Sequence, residues 1–165
     1  MGERQYKQDV DGFENVTPAL MDMVNHYPGL ESGERFDFST VLVEDGMSVI
    51  ASSGSFIVNE TESITGHVKQ MCAYPFMIVY RASGLSQKRK IAVKEWMDTL
   101  AKWLTRQEVN IGGELHQLEW PVLTGDRKIT NIERQSPSYL GSVNDDMSEN
   151  WVMELVIHYR NEFDR

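Results

Sequence analysis

Six apolar residues, Val93, Trp96, Met97, Leu100, Trp103 and Leu104, fall at positions i, i+3, i+4, i+7, i+10 and i+11 of one segment, the spacing of a single face of an α-helix. A helix with that stripe over about five turns has to bury it against another element. Ser86 supplies an N-cap, a side-chain oxygen that accepts from an otherwise orphan N–H of the first turn. A second constraint lies at the carboxyl end. There Trp151, Met153, Leu155, Ile157 and Tyr159 alternate with Val152, Glu154, Val156, His158 and Arg160, the period of two that gives a strand two distinct faces.

Elsewhere the pattern is weaker. Thr17 as N-cap, with Pro18 at the first helical position, predicts a first helix that closes at Pro28-Gly29. Phe36 to Val43 alternates as a half-buried strand, ended by Asp45-Gly46. Residues 44–66 are rich in Ser, Gly, Glu and Thr and read as a long, partly β excursion. A strand from Ile64 to Arg81 follows, and Pro75 is expected to put it at an edge or in a bulge, because proline has no N–H for a ladder. Phe76 to Tyr80 is apolar on both faces and should be central. Leu115 to Val122 and Arg127 to Arg134 read as strands, and Ser136 to Glu149 as a polar loop with Asp145 and Asp146 near its tip. Residues 1–15 are polar and aperiodic, and read as a mobile arm before a single domain over 16–165. The order helix, strands, helix, strands has no regular βαβ alternation. The expected fold class is therefore α+β, an antiparallel or mixed β-sheet with two main helices packed on one face.

Composition narrows the function. A chain of 165 residues can bury roughly 70% of its unfolded surface and needs no staple. Its net charge of -9 argues against affinity built on nucleic-acid phosphates. The amino terminus lacks an apolar h-region. The longest apolar run, Ala73 to Tyr80, has eight residues against the roughly 20 that a membrane span requires. These features lead us to expect a cytoplasmic chain with no membrane partner.

Few residues offer themselves for chemistry. The only cysteine, Cys72, excludes an intramolecular disulfide, and its expected role is that of a small buried hydrophobe. The sequence has no glycine-rich phosphate loop, no Cys-x-x-Cys and no His-Glu-x-x-His. His26, His67, His116 and His158 are widely spaced. Asp145, Asp146 and Glu149 form an acidic group without the register of a calcium loop. The reading is of a chain with no catalytic, cofactor-binding or metal-binding residues.

The charge is unevenly spread. Residues 1–66 carry a net -9, residues 67–107 a net +6 and residues 108–165 a net -6. Lys88, Arg89, Lys90, Lys94 and Lys102 of the second helix supply most of the basic middle. Lysines on an exposed helix face keep it soluble. They can also meet an acidic surface on a neighbouring copy, in a head-to-tail contact that closes into a ring when the rotation permits.

Several segments together resemble a family of small phage minor capsid or tail terminator proteins. They are the apolar first helix ending in His26-Tyr27-Pro28-Gly29-Leu30, the Thr65-Gly66 turn leading into Tyr74 to Tyr80, the tryptophan-rich helix Val93 to Leu104, and the ending Ile132 to Tyr159. Ser138-Tyr139-Leu140, followed by an acidic loop and a long alternating strand, is similar to that family's carboxyl end. The resemblance covers about residues 17–160. It implies a tail-terminator-like subunit that assembles, usually as a hexamer, at the head-proximal end of a tail tube. There it stops tube polymerisation and joins the tube to the head connector, in a phage or in a phage-tail-like particle. It implies no enzyme activity and no cofactor. On this reading Lys88, Lys90, Lys94, Tyr74 and Pro75 are candidates for the contact between copies. Asp145, Asp146 and Glu149 are candidates for a bore whose acidic wall lets DNA slide past. The competing classes are a cytoplasmic adaptor that binds through its basic helix and a small-molecule enzyme without a recognisable motif.

Overall fold

The computed structural model describes residues 16–42, 44–125 and 127–165, so the arm expected over 1–15 lies outside the described residues. In chain order the elements are α1 (Val16–Asn25), β1 (Phe36–Phe38), β2 (Gly46–Ala51), β3 (Phe56–Glu62), β4 (His67–Ala82), α2 (Gln87–Leu104), β5 (Val109–Ile111), β6 (Glu114–His116), β7 (Lys128–Arg134), β8 (Tyr139–Val143) and β9 (Glu149–Asp164). Apart from the small β5–β6 hairpin, the strands form one sheet of seven. The fold is α+β with a mixed sheet, because β1 joins β2 in parallel while the other pairs are antiparallel.

Two strands of sixteen residues, β4 and β9, form its spine, paired from His67↔Asp164 to Ala82↔Glu149. Each shares its outer side between two shorter strands. On β4, β3 pairs with Val68 to Ala73 and β2 with Phe76 to Arg81; on β9, β7 pairs with Leu155 to Arg160 and β8 with Glu149 to Val152. Pro75 therefore lies neither at the sheet edge nor in a break of its own strand. It sits in the gap between β3 and β2, where its carbonyl accepts from Ser52 N at 3.1 Å. The N and O of one strand residue point to the same side, so the missing N–H faces this gap and costs no ladder bond.

The ladder puts Cys72, Tyr74, Phe76 and Ile78 opposite Tyr159, Ile157, Leu155 and Met153 on one face, all buried. Both helices pack on that face. Val93, Met97, Leu100 and Leu104 of α2 and Leu20 and Val24 of α1 complete the core, each such side chain contributing about 1.5–3 kcal/mol by leaving water. Trp96 joins the layers: it stacks on Phe36 at 6.2 Å and meets Tyr27 and Tyr80 edge-on at 5.6 and 5.4 Å. Its Nε1 donates to Gly29 O at 3.3 Å.

The ends of α2 follow local rules. Ser86 accepts from Arg89 N. At the other end Arg106 takes φ 68, while Arg106 N donates to Trp103 O and Gln107 N to Lys102 O, the paired closure of a Schellman motif. Other boundaries differ from expectation. Of the strand expected over Phe36 to Val43, the described residues form a strand only over Phe36–Phe38, with Ser39 N still donating to Val49 O at 2.7 Å; Val43 lies outside the described residues. Of Leu115 to Val122 only the start is a strand, because Trp120 turns back to cap α2, donating to Leu104 O at 3.0 Å. The supposed loop before Glu149 contains β8.

Candidate functional site

The exposed side of α2 stands over the β8 corner of the sheet. Lys90 Nζ lies 2.7 Å from Glu149 Oε1. Lys94 Nζ lies 2.9 Å from Asp98 Oδ2 one turn on, and the Lys94 carbonyl accepts from Ser138 Oγ at 3.4 Å. The ion pairs take up one donor of each ammonium, and both side chains keep more than two-fifths of their surface in water. Lys88 is exposed on the first turn.

Asp98 fastens this helix to the sheet. Its Oδ1 accepts from Ser138 Oγ at 2.7 Å and from Arg134 Nη2. Burial acts to raise its pKa, but the hydrogen bonds from Ser138, Lys94 and Arg134, with the Arg134 charge, outweigh it and hold the carboxyl at about 2.

The other candidates separate. Tyr74 is buried in the core and its hydroxyl meets Thr17 Oγ1 at 2.7 Å, so it fixes α1 rather than offering a contact surface. Pro75 is half-buried on the opposite, helix-free face. Glu149 is buried beneath Lys90. Asp146 pairs with Arg81 at 2.8 Å and accepts from Ser148 N and Oγ; these bonds hold its carboxyl below the usual range. Of the three acids only Asp145 presents an exposed charge with no ion pair among the described residues.

Cys72 is buried beside Tyr159, with burial pushing its thiol up; a protonated, water-excluded thiol is a poor nucleophile. His26, His67, His116 and His158 each pair with carboxylates in separate places. Among the described residues no group of three or more His, Cys, Asp or Glu could hold a metal ion. No described helix is long and apolar enough to cross a membrane.

The borders of the sheet are unlike one another, a property absent from the sequence pattern. At β1, Asn25 Oδ1 accepts from Phe36 N at 2.7 Å and Asn25 Nδ2 donates to Phe36 O at 3.4 Å, so one amide stands in for a further strand. At β7, Val122 bridges to Lys128. The outer sides of β3 and β8 have no such cover among the described strands, and every residue of both is exposed. Phe56, Ile57 and Val58 of β3 and Tyr139, Leu140 and Val143 of β8 are each 41–59% exposed. Edge strands of this kind are templates for pairing with another chain. The face away from the helices adds a half-exposed apolar band, with Met71, Pro75, Met77 and Val79 of β4 beside Val152 and Val156 of β9.

No protein-family model matches the chain, and no curated protein matches it.

Proposed function

We propose that the protein is a structural subunit of a phage or phage-tail-like particle, a tail terminator. Copies of it close into a ring at the head-proximal end of the tail tube, stop tube growth and meet the head connector. The observation that carries the reading is the one-sided sheet with two uncovered borders: both helices lie on one face, and β3 and β8 are open at opposite corners. Such a subunit is built to be flanked by its own kind. The resemblance over residues 17–160 supports the same role.

In the ring, DNA passes through the bore without sequence-specific contacts. Asp145 is the acid free to repel it, since Asp146 and Glu149 are paired within the chain. The deciding experiment is the mass of the protein alone and with tube protein, followed by imaging of the assembled particle. The expected result is a ring at one end of the tube. Failure to associate with tube or connector proteins at any salt concentration overturns the reading.

A further inference from the structure

We propose that neighbouring copies join through antiparallel pairing of β3 of one copy with β8 of the next, and that Glu60 and Glu62 of the first then face Lys90 and Lys94 of the second. The inference rests on the ring reading only for closure; the contact itself is argued from the strands.

Direction comes first. β3 is antiparallel to β4, β4 to β9, and β9 to β8. Two copies set side by side in the same orientation therefore present β8 and β3 running oppositely, as an antiparallel ladder requires. Face agrees with direction. Glu60 and Glu62 pair with Gln70 and Val68 on the helix side of the sheet. Leu140 and Val143 pair with Trp151 and Glu149 on that same side, the corner to which α2 is tied where Lys90 Nζ meets Glu149 and the Lys94 carbonyl accepts from Ser138 Oγ. Continuing the sheet brings the carboxylates and the ammonium groups onto one surface. Each ammonium has donors to spare, and Glu60 and Glu62 are held in place by Arg165 at 3.3 and 2.9 Å.

Repulsion selects the pairing as much as attraction does. Pairing β3 with another β3 brings together two edges that each keep an excess of negative charge, since one Arg165 serves both Glu60 and Glu62, and pairing β8 with β8 brings the Lys90 and Lys94 ammonium groups no carboxylate from the other copy. Only the unlike edges match. The contact is thus heterologous, the kind that makes rings or filaments rather than two-fold dimers.

The test uses the full chain with two charge reversals, Glu60→Lys with Glu62→Lys, and Lys90→Glu with Lys94→Glu, followed by sedimentation at about 0.15 M salt, where the screening length of about 8 Å removes the effect of the variants' altered net charge but spares contacts at hydrogen-bonding range. Each double variant alone should associate about tenfold more weakly than the unaltered protein. An equimolar mixture should recover its affinity, because each variant's altered edge meets the other's altered edge. Far-UV circular dichroism checks that each variant folds. If a reversal unfolds the chain, the four corresponding Gln substitutions replace it, and the readout is loss of the decline in association above about 0.15 M salt.

A reversal variant that associates as well as the unaltered chain overturns the seam. So does a mixture of folded variants no tighter than its parts, Gln variants with unchanged salt dependence, or an unaltered chain still monomeric at about 1 mM, where a millimolar contact would be half populated. Open chains that lengthen with concentration and obey the charge swap support the seam and overturn the ring. A closed ring that the variants form equally well overturns the seam alone.

Discussion

Asp98 ties the polar side of α2 to the sheet through Ser138 and Arg134. It sits one turn beyond Lys94, a spacing visible in the sequence as an ordinary i, i+4 surface pair. Its other partners, Ser138 and Arg134, are 40 and 36 residues away, and no local pattern announces them. The folded-state pKa of about 2 lies below the ordinary value of 3.8. A depressed carboxyl contributes stability that is present above the unfolded pKa and is lost as pH falls through the folded one. Asp98→Asn should therefore destabilise the chain at neutral pH by about 1–2 kcal/mol, discounted because a third of the side chain meets water. It should also flatten the loss of stability between about pH 4 and pH 2. Urea unfolding across that range checks both. If the Asp98→Asn variant keeps the acid limb of the unaltered protein, Asp98 does not carry it.

At the scale of elements, α2 and β9 are legible because each repeats one period for long enough to exclude the other, and both deliver the buried face expected of them. What is not legible is how elements share neighbours. Pro75 suggests an edge, yet a central strand can hold a proline where two shorter strands leave a gap, and that gap exists only in the assembled sheet. β8 is hidden for a related reason: strict alternation puts Leu140 and Val143 on opposite faces, and only the register shift between Leu140 and Ser142, made in pairing with β9, brings them to one side. The covered border at β1 is equally hidden, since Asn25 ends a helix in sequence and closes a sheet in space. Asn25→Ala should leave the buried Phe36 N–H without its partner and cost about 1–3 kcal/mol. Exchange of the Phe36 amide with solvent should accelerate accordingly, and unchanged exchange protection would show that the amide does not depend on this cap. The candidate lysines are legible as an exposed basic face; their pairing with Glu149 and Asp98 is not, so the face carries less free charge than its composition suggests.

For the whole molecule, two electrostatic effects of opposite sign act on assembly, and their ranges separate them. Each copy carries a net -9, so copies repel over their centre-to-centre separation. For a compact chain of this length that separation is about 40 Å, twice the roughly 20 Å radius of a sphere whose radius of gyration is near 15 Å. The proposed pairs of Glu60 and Glu62 with Lys90 and Lys94 act at hydrogen-bonding range. The screening length is about 30 Å at 0.01 M salt and about 8 Å at 0.15 M. Adding salt from 0.01 M thus removes the long-range repulsion first, and association should strengthen. Beyond about 0.15 M little repulsion remains to screen, while the close pairs continue to weaken, so association should decline. The affinity of copies for one another should pass through a maximum near physiological ionic strength. In a chain with Gln at the four seam positions only the rising limb should survive. Sedimentation of both chains over this salt range measures the two limbs directly, and a decline of equal steepness in the Gln chain would place the attractive charges somewhere other than the β3–β8 seam.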